Sequence, residues 1–123
     1  MMPLDTMIDL ETMSATPDAV ILQIAAVKFD PFDDYLERGI GAAELPQLNL
    51  LVDVDSQTDR NINESTMQWW AQQDPQIQDR VFATQGRVGF ADAMQQTHRF
   101  IWNSSGRIWA QGTSFDISIL EHA

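Results

Sequence analysis

From residue 20 to residue 29 the chain is apolar on both phases of a two-residue alternation. Val20, Leu22, Ile24 and Ala26 fall on one phase, and Ile21, Ala25, Val27 and Phe29 on the other. Successive side chains of a strand point to opposite faces, so this pattern predicts a strand covered on both sides. Residues 4–10 form a shorter apolar strand that ends in Asp9-Leu10-Glu11-Thr12. Leu48, Leu50, Val52 and Val54 alternate with Gln47, Asn49, Asp53 and Asp55, which predicts a third strand with one buried face. Thr16-Pro17-Asp18 and Asp30-Pro31 break the chain between strands, and residues 32–46 read as a hairpin connection. The chain therefore begins with three strands, expected as an antiparallel meander.

Helical signals follow. Ser65-Thr66-Met67-Gln68 has the form of a capping box ahead of Trp69, Trp70 and Ala71. Asp74-Pro75 is a cap and first-turn pair for a second short helix running through Val81 and Phe82. Phe90, Met94, Thr97 and Ile101 recur at helical spacing across residues 88–103. Gly106 leads into a short strand from Arg107 to Gln111. Gly112-Thr113-Ser114 then turns the chain into a final helix bearing Asp116, Ile117 and Leu120. The order βββ, helices, β, α predicts an α/β fold with a mixed sheet, its later strand joining through a helical crossover. No linker divides residues 1–123, and 123 residues suit one domain with one hydrophobic core.

Composition narrows the chemistry. The chain has no cysteine, which removes disulfides, thiolate metal sites and a thiol nucleophile. Its two histidines, His98 and His122, are too few for a histidine-rich centre. Any metal would be held mainly by oxygen, which points to Mg²⁺ or Mn²⁺. The net charge of −11 excludes a generally basic phosphate-binding surface. Clustered carboxylates can still draw a phosphate through a bound cation. The apolar runs are too short to span a bilayer, and the N-terminus lacks a signal-peptide pattern, so a cytoplasmic setting without membrane is expected.

Asp9 and Glu11 are two apart on a strand and project to one face. Adjacent carboxylates repel unless a cation lies between them. On spacing alone, two solvated acids at a strand end is the blander reading and stands ahead. Asp116, in the turn from strand to helix, occupies an edge where α/β proteins build sites. Alone, the reading as an acid favourable to a helix dipole stands ahead.

Residues 7–13, Met-Ile-Asp-Leu-Glu-Thr-Met, run into Val20-Ile21-Leu22-Gln23-Ile24-Ala25-Ala26-Val27. This stretch resembles the first motif of the DEDD, ribonuclease H-like, 3′–5′ exonuclease superfamily. Residues 109–120, which carry Phe115-Asp116, resemble its second motif. The Trp69-Trp70 pair between them is similar to a DEDDh-type subgroup that includes a mycobacterial-type 3′–5′ exoribonuclease and the tailed-phage exonuclease A. The resemblance covers nearly the whole chain. It implies Asp9, Glu11 and Asp116 as catalytic metal ligands for two divalent ions in the complete site. It implies nucleic acid with a free 3′ end as substrate, RNA or DNA, and a nucleoside monophosphate as product. Leu10, Thr12, Met13, Trp70 and Phe115 would lie near the terminal nucleotide.

The superfamily's third motif carries a fourth aspartate, preceded five residues earlier by a general-base histidine in this subgroup. Nothing in the 123 residues matches it, so the chain is expected to be an incomplete copy with partial metal binding and little turnover. His122 does not fit the family's histidine, and His98 is expected to be structural or solvent-facing. Of the four tryptophans, most are expected in the core, with Trp69 or Trp70 free to stack on a base. Apolar surface left open by missing chain would favour a homo-oligomer. Two rival readings accompany this one. Asp-Leu-Glu-Thr loosely resembles the start of haloacid dehalogenase-type phosphatases, but there a helix should follow and here a strand does. The other rival is a non-catalytic, acidic interaction or metal-binding fragment.

Overall fold

The computed structural model builds β1 (Asp5–Thr12), β2 (Ile21–Phe29) and β3 (Gln47–Val52). Helices α1 (Glu64–Ala71) and α2 (Pro75–Val81) come next, then the two-residue strand β4 (Arg87–Val88). Helix α3 (Phe90–Trp102), strand β5 (Ile108–Ala110) and helix α4 (Phe115–His122) complete the order. Residues 4–102, 106–110 and 115–123 are described, at 42 and 115–117 by backbone alone. The expected turn at 112–114 lies outside them.

The first three strands are an antiparallel meander, as their alternation requires. β5 adds parallel to β1 and β4 parallel to β3, giving one mixed sheet in the order β4-β3-β2-β1-β5. A helical crossover precedes each parallel addition, as expected for β5.

Residues paired across strands share a face, so the register sorts the side chains. On one face Ile8, Leu10, Ile21, Ile24, Ala26 and Val52 are buried with Ala93 of α3 and Ile119 of α4. On the other, Met13, Val20 and Leu22 are buried with Trp70 of α1 and Val81 of α2. Each of the isoleucine, leucine, valine and methionine side chains contributes about 1.5–3 kcal/mol on burial.

The strict alternation expected through residues 20–29 is broken. Glu11 pairs with Gln23 but Thr12 pairs with Ile21, so Leu22 is an extra residue in β2. This bulge puts Ile21 on the α3 face with Ile24, and leaves Val20 and Leu22 facing α1 and α2. Cover on the second face is also partial. Ala25 and Val27 line an open depression with Met7, Asp9, Gln47 and Asn49.

The caps agree with the sequence at one helix and differ at the other. Asp74 caps α2, accepting from Gln76 N, with Pro75 in the first turn. The cap of α1 is Asn63, whose side chain accepts from Ser65 N and Thr66 N, and not Ser65. β4 has no counterpart in the sequence reading. It is held by the Arg87 guanidinium, which donates to the carbonyls of Leu22, Val52, Val81 and Ala83. β5 docks through Asp5, whose carboxylate accepts from Arg107 N at 2.8 Å and from Trp109 Nε1 at 2.7 Å. The approach is close enough to require glycine at 106, where a Cβ would overlap the Leu4 carbonyl and the Asp5 carboxylate.

Candidate active site

β1 carries Ile8 and Leu10 into the core, so Asp9 and Glu11 project from its opposite face. Asp9 is exposed and Glu11 half-buried. Asp9 stands across from Ala25 and then Asn49, and Glu11 across from Gln23 and then Leu51. Gln23 Nε2 donates to Asn49 Oδ1 at 2.8 Å, so neutral amides flank the acids on this face. Asp9 lines the open depression on the uncovered part of the sheet.

The segment after Glu11 is strapped down. Trp70 Nε1 donates to Thr12 O at 2.8 Å, and Thr12 Oγ1 donates to Ser14 O at 2.8 Å. Met13 N donates to Val20 O, and Met13 O accepts from Asn63 N. Asn61 Nδ2 donates to Ser14 Oγ at 2.9 Å. Asn61 and Asn63 were not singled out in the sequence. Their signal was weak, because asparagine in a loop is common and its partners here are far along the chain.

Several side chains expected near the terminal nucleotide are buried. Leu10, Thr12 and Met13 are buried, with Leu10 and Met13 facing the two cores. Trp70 is only 4% exposed and packs against Phe82 at 5.7 Å between ring centroids, so stacking on a base is not open to it. Its neighbour Trp69 is 53% exposed and meets Trp70 edge-on. Adjacent helical positions diverge by about 100°, and the rotation of α1 selects which one enters the core. The side chain of Phe115 lies outside the described ones.

Asp116 is the second residue of α4, and its side chain also lies outside the described ones. Its backbone position is informative nonetheless. β5 runs parallel to β1, so the chain leaves β5 at the end of the sheet where Glu11 lies, and α4 begins five residues after Ala110. The histidines have other partners. His122 Nδ1 is 3.2 Å from Nη1 of Arg60, which also donates to Ala19 O and Pro17 O. His98 stacks on Trp102 on the outer side of α3.

Among the described side chains no three acids or histidines gather as a metal-ligand group. Asp9 makes no hydrogen bond or ion pair among the described residues, so both its oxygens are available to a ligand. An all-oxygen pair on one strand face, with neutral amides around it, fits a hard divalent cation. No described helix is long and apolar enough to cross a membrane.

A meander of three antiparallel strands, a parallel strand added beside β1 and helices on the sheet make an α/β fold consistent with the ribonuclease H-like exonucleases. The chain belongs to the 3′-5′ exoribonuclease Rv2179c-like domain family, whose model matches residues 5–123. It is similar to an exodeoxyribonuclease of Enterobacteria phage T4, with 29% identity over 131 aligned positions covering 94% of this chain and 53% of the relative. The chain spans about half the length of that curated relative. The resemblance read from the two motifs therefore holds at the level of a 3′–5′ exonuclease family.

Proposed function

We propose that this chain forms the metal-holding part of a divalent-cation-dependent 3′–5′ exonuclease, with Asp9, Glu11 and Asp116 as its ligands. The supporting observation is that Asp9 and Glu11 share one face of β1, at the end of the sheet toward which the chain leaves β5 on its way to residue 116. The substrate in this reading is nucleic acid with a free 3′ end, and the product a nucleoside monophosphate. The family's description names RNA and the phage relative's name DNA, so the proposal is made for the class. The expected setting is the cytoplasm.

Mg²⁺ or Mn²⁺, two ions in the complete site, would supply the positive charge for the scissile phosphate and a water of lowered pKa. The chain's own part is to fix the carboxylates. β1 pairs with β2 along its whole length and with β5 over Thr6–Ile8, which anchors the strand that spaces Asp9 and Glu11. The Trp70 and Asn63 bonds to residues 12 and 13 hold the strand end where Glu11 meets the bulge. The amides of Gln23 and Asn49 add no charge to compete with the acids for a cation.

Calorimetry with Mn²⁺ tests this reading. Asp9→Ala is expected to weaken binding by at least roughly tenfold, the loss typical even of an outer-shell partner. Its thermal midpoint should stay near that of the wild type, because Asp9 is exposed. Equal Mn²⁺ affinity in the two proteins would sink the assignment.

A further inference from the structure

The side of α3 turned away from the sheet carries a feature that the acid pair does not use. Ala93 and Thr97 of this helix are buried against the sheet, whereas Gln95, His98, Arg99 and Trp102 are exposed. Trp102 is 77% exposed. Its indole lies nearly parallel to the His98 imidazole, with centroids 5.5 Å apart and 14° between planes. The two rings wall an open groove of about 400 Å³ whose other lining residues are Met94, Gln95 and Arg99.

We propose that this groove is a base-stacking subsite for single-stranded nucleic acid, on the face of the molecule opposite Asp9 and Glu11. The inference rests on the nucleic-acid reading above for its ligand class and on the groove for its place. Two stacked flat rings leave an indole surface open to a third, and every nucleobase has a π-face. Gln95 brings an amide that can both donate and accept, as a base edge requires. Arg99 brings a guanidinium suited to one phosphate.

Of the seven cations, Arg99 is the one that lines this groove, while Arg80 and Arg107 are exposed elsewhere. Arg38 pairs with Asp33. Arg60 and Arg87 commit their guanidinium groups to backbone carbonyls. Lys28 sits over the Phe100 ring of α3. Arg99 is exposed beside the stacked rings, and no acid is among the described residues that line the groove. Binding is therefore carried by stacking, with a single phosphate contact. The slope of log affinity against log salt should be shallow, about −0.7, the value for one phosphate on a single strand.

The test is titration of the 123-residue chain with a short oligothymidylate in excess EDTA, followed by NMR and fluorescence. The indole resonance of Trp102 and the ring resonances of His98 should shift. Trp102→Ala should weaken binding about tenfold, Trp102→Phe should retain most of it, and Leu36→Ala, at an exposed residue outside the groove, should leave it unchanged. Shifts confined to β1, or wild-type affinity in Trp102→Ala, would overturn the proposal. So would sedimentation showing that Trp102→Ala abolishes self-association while oligonucleotide binding persists, because a second copy would then cover the groove. The omission of metal keeps the two readings separable. Failed Mn²⁺ binding with intact oligonucleotide binding removes the metal assignment alone, and the reverse removes the stacking subsite alone.

Discussion

Trp70 and Thr12 lie 58 residues apart, yet the indole N–H of one is the partner of the other's carbonyl in a buried bond. The sequence shows two adjacent tryptophans and no means of telling them apart. The structure separates them by a rotation of α1 that the packing of Met13, Val20, Leu22 and Val81 imposes. Trp70→Phe keeps most of the ring but orphans the Thr12 carbonyl, a loss of about 1–3 kcal/mol. Trp69→Phe, on an exposed ring, should stay within about 0.5 kcal/mol of the wild type. Urea unfolding of both variants checks the contrast. Asp5 makes a second residue-scale case. The hydrogen bond from the Trp109 indole, and then that from the Arg107 amide, hold its carboxyl below the ordinary value of 3.8. A depressed folded value means stabilisation that is complete above the unfolded pKa and lost as pH falls through the folded one. The stability advantage of the wild type over Asp5→Asn should thus be flat near neutrality and shrink below about pH 4. An advantage that persists unchanged into acid, followed by urea midpoints, would contradict the bond assignment.

At the scale of elements, the strands were legible because their side chains report burial directly, every second residue. The helices were legible through their caps, with one displacement. Asn63 and Ser65 are both good capping residues, and the sequence offers no choice between them. The choice is made by a distant contact, because Asn63 N donates to Met13 O and holds residue 63 extended at φ −105°, ψ 129°. Asn63→Ala should cost about 1 kcal/mol and Ser65→Ala less, as thermal midpoints will show. β4 was not legible because two residues carry no periodicity. It forms because Val88 packs with the first core and Arg87 satisfies four carbonyls around it.

For the molecule as a whole, the sequence implied a second strand covered on both sides, and the described structure covers one face of the sheet more completely than the other. The bulge at Leu22 is the physical reason the simple alternation misled: one extra residue sends the two halves of β2 to different partners. The acid pair on β1 could be located from spacing, whereas the exposed rings of α3 could not, because an amphipathic pattern does not say which aromatic stays outside. The way β5 joins the sheet also has a consequence for how the protein is made. The bond between Asp5 and Trp109 spans 104 residues. Closing so long a loop is slow and entropically costly, so β1 gains its second neighbour late. Until then the nascent meander has β1 as an unpaired edge, and Asp9 and Glu11, just past the Thr6–Ile8 stretch that β5 pairs, are charges on that edge. Such charges discourage a second chain from adding there. The carboxylates proposed to grip a metal in the finished protein also guard its most vulnerable strand on the way to it.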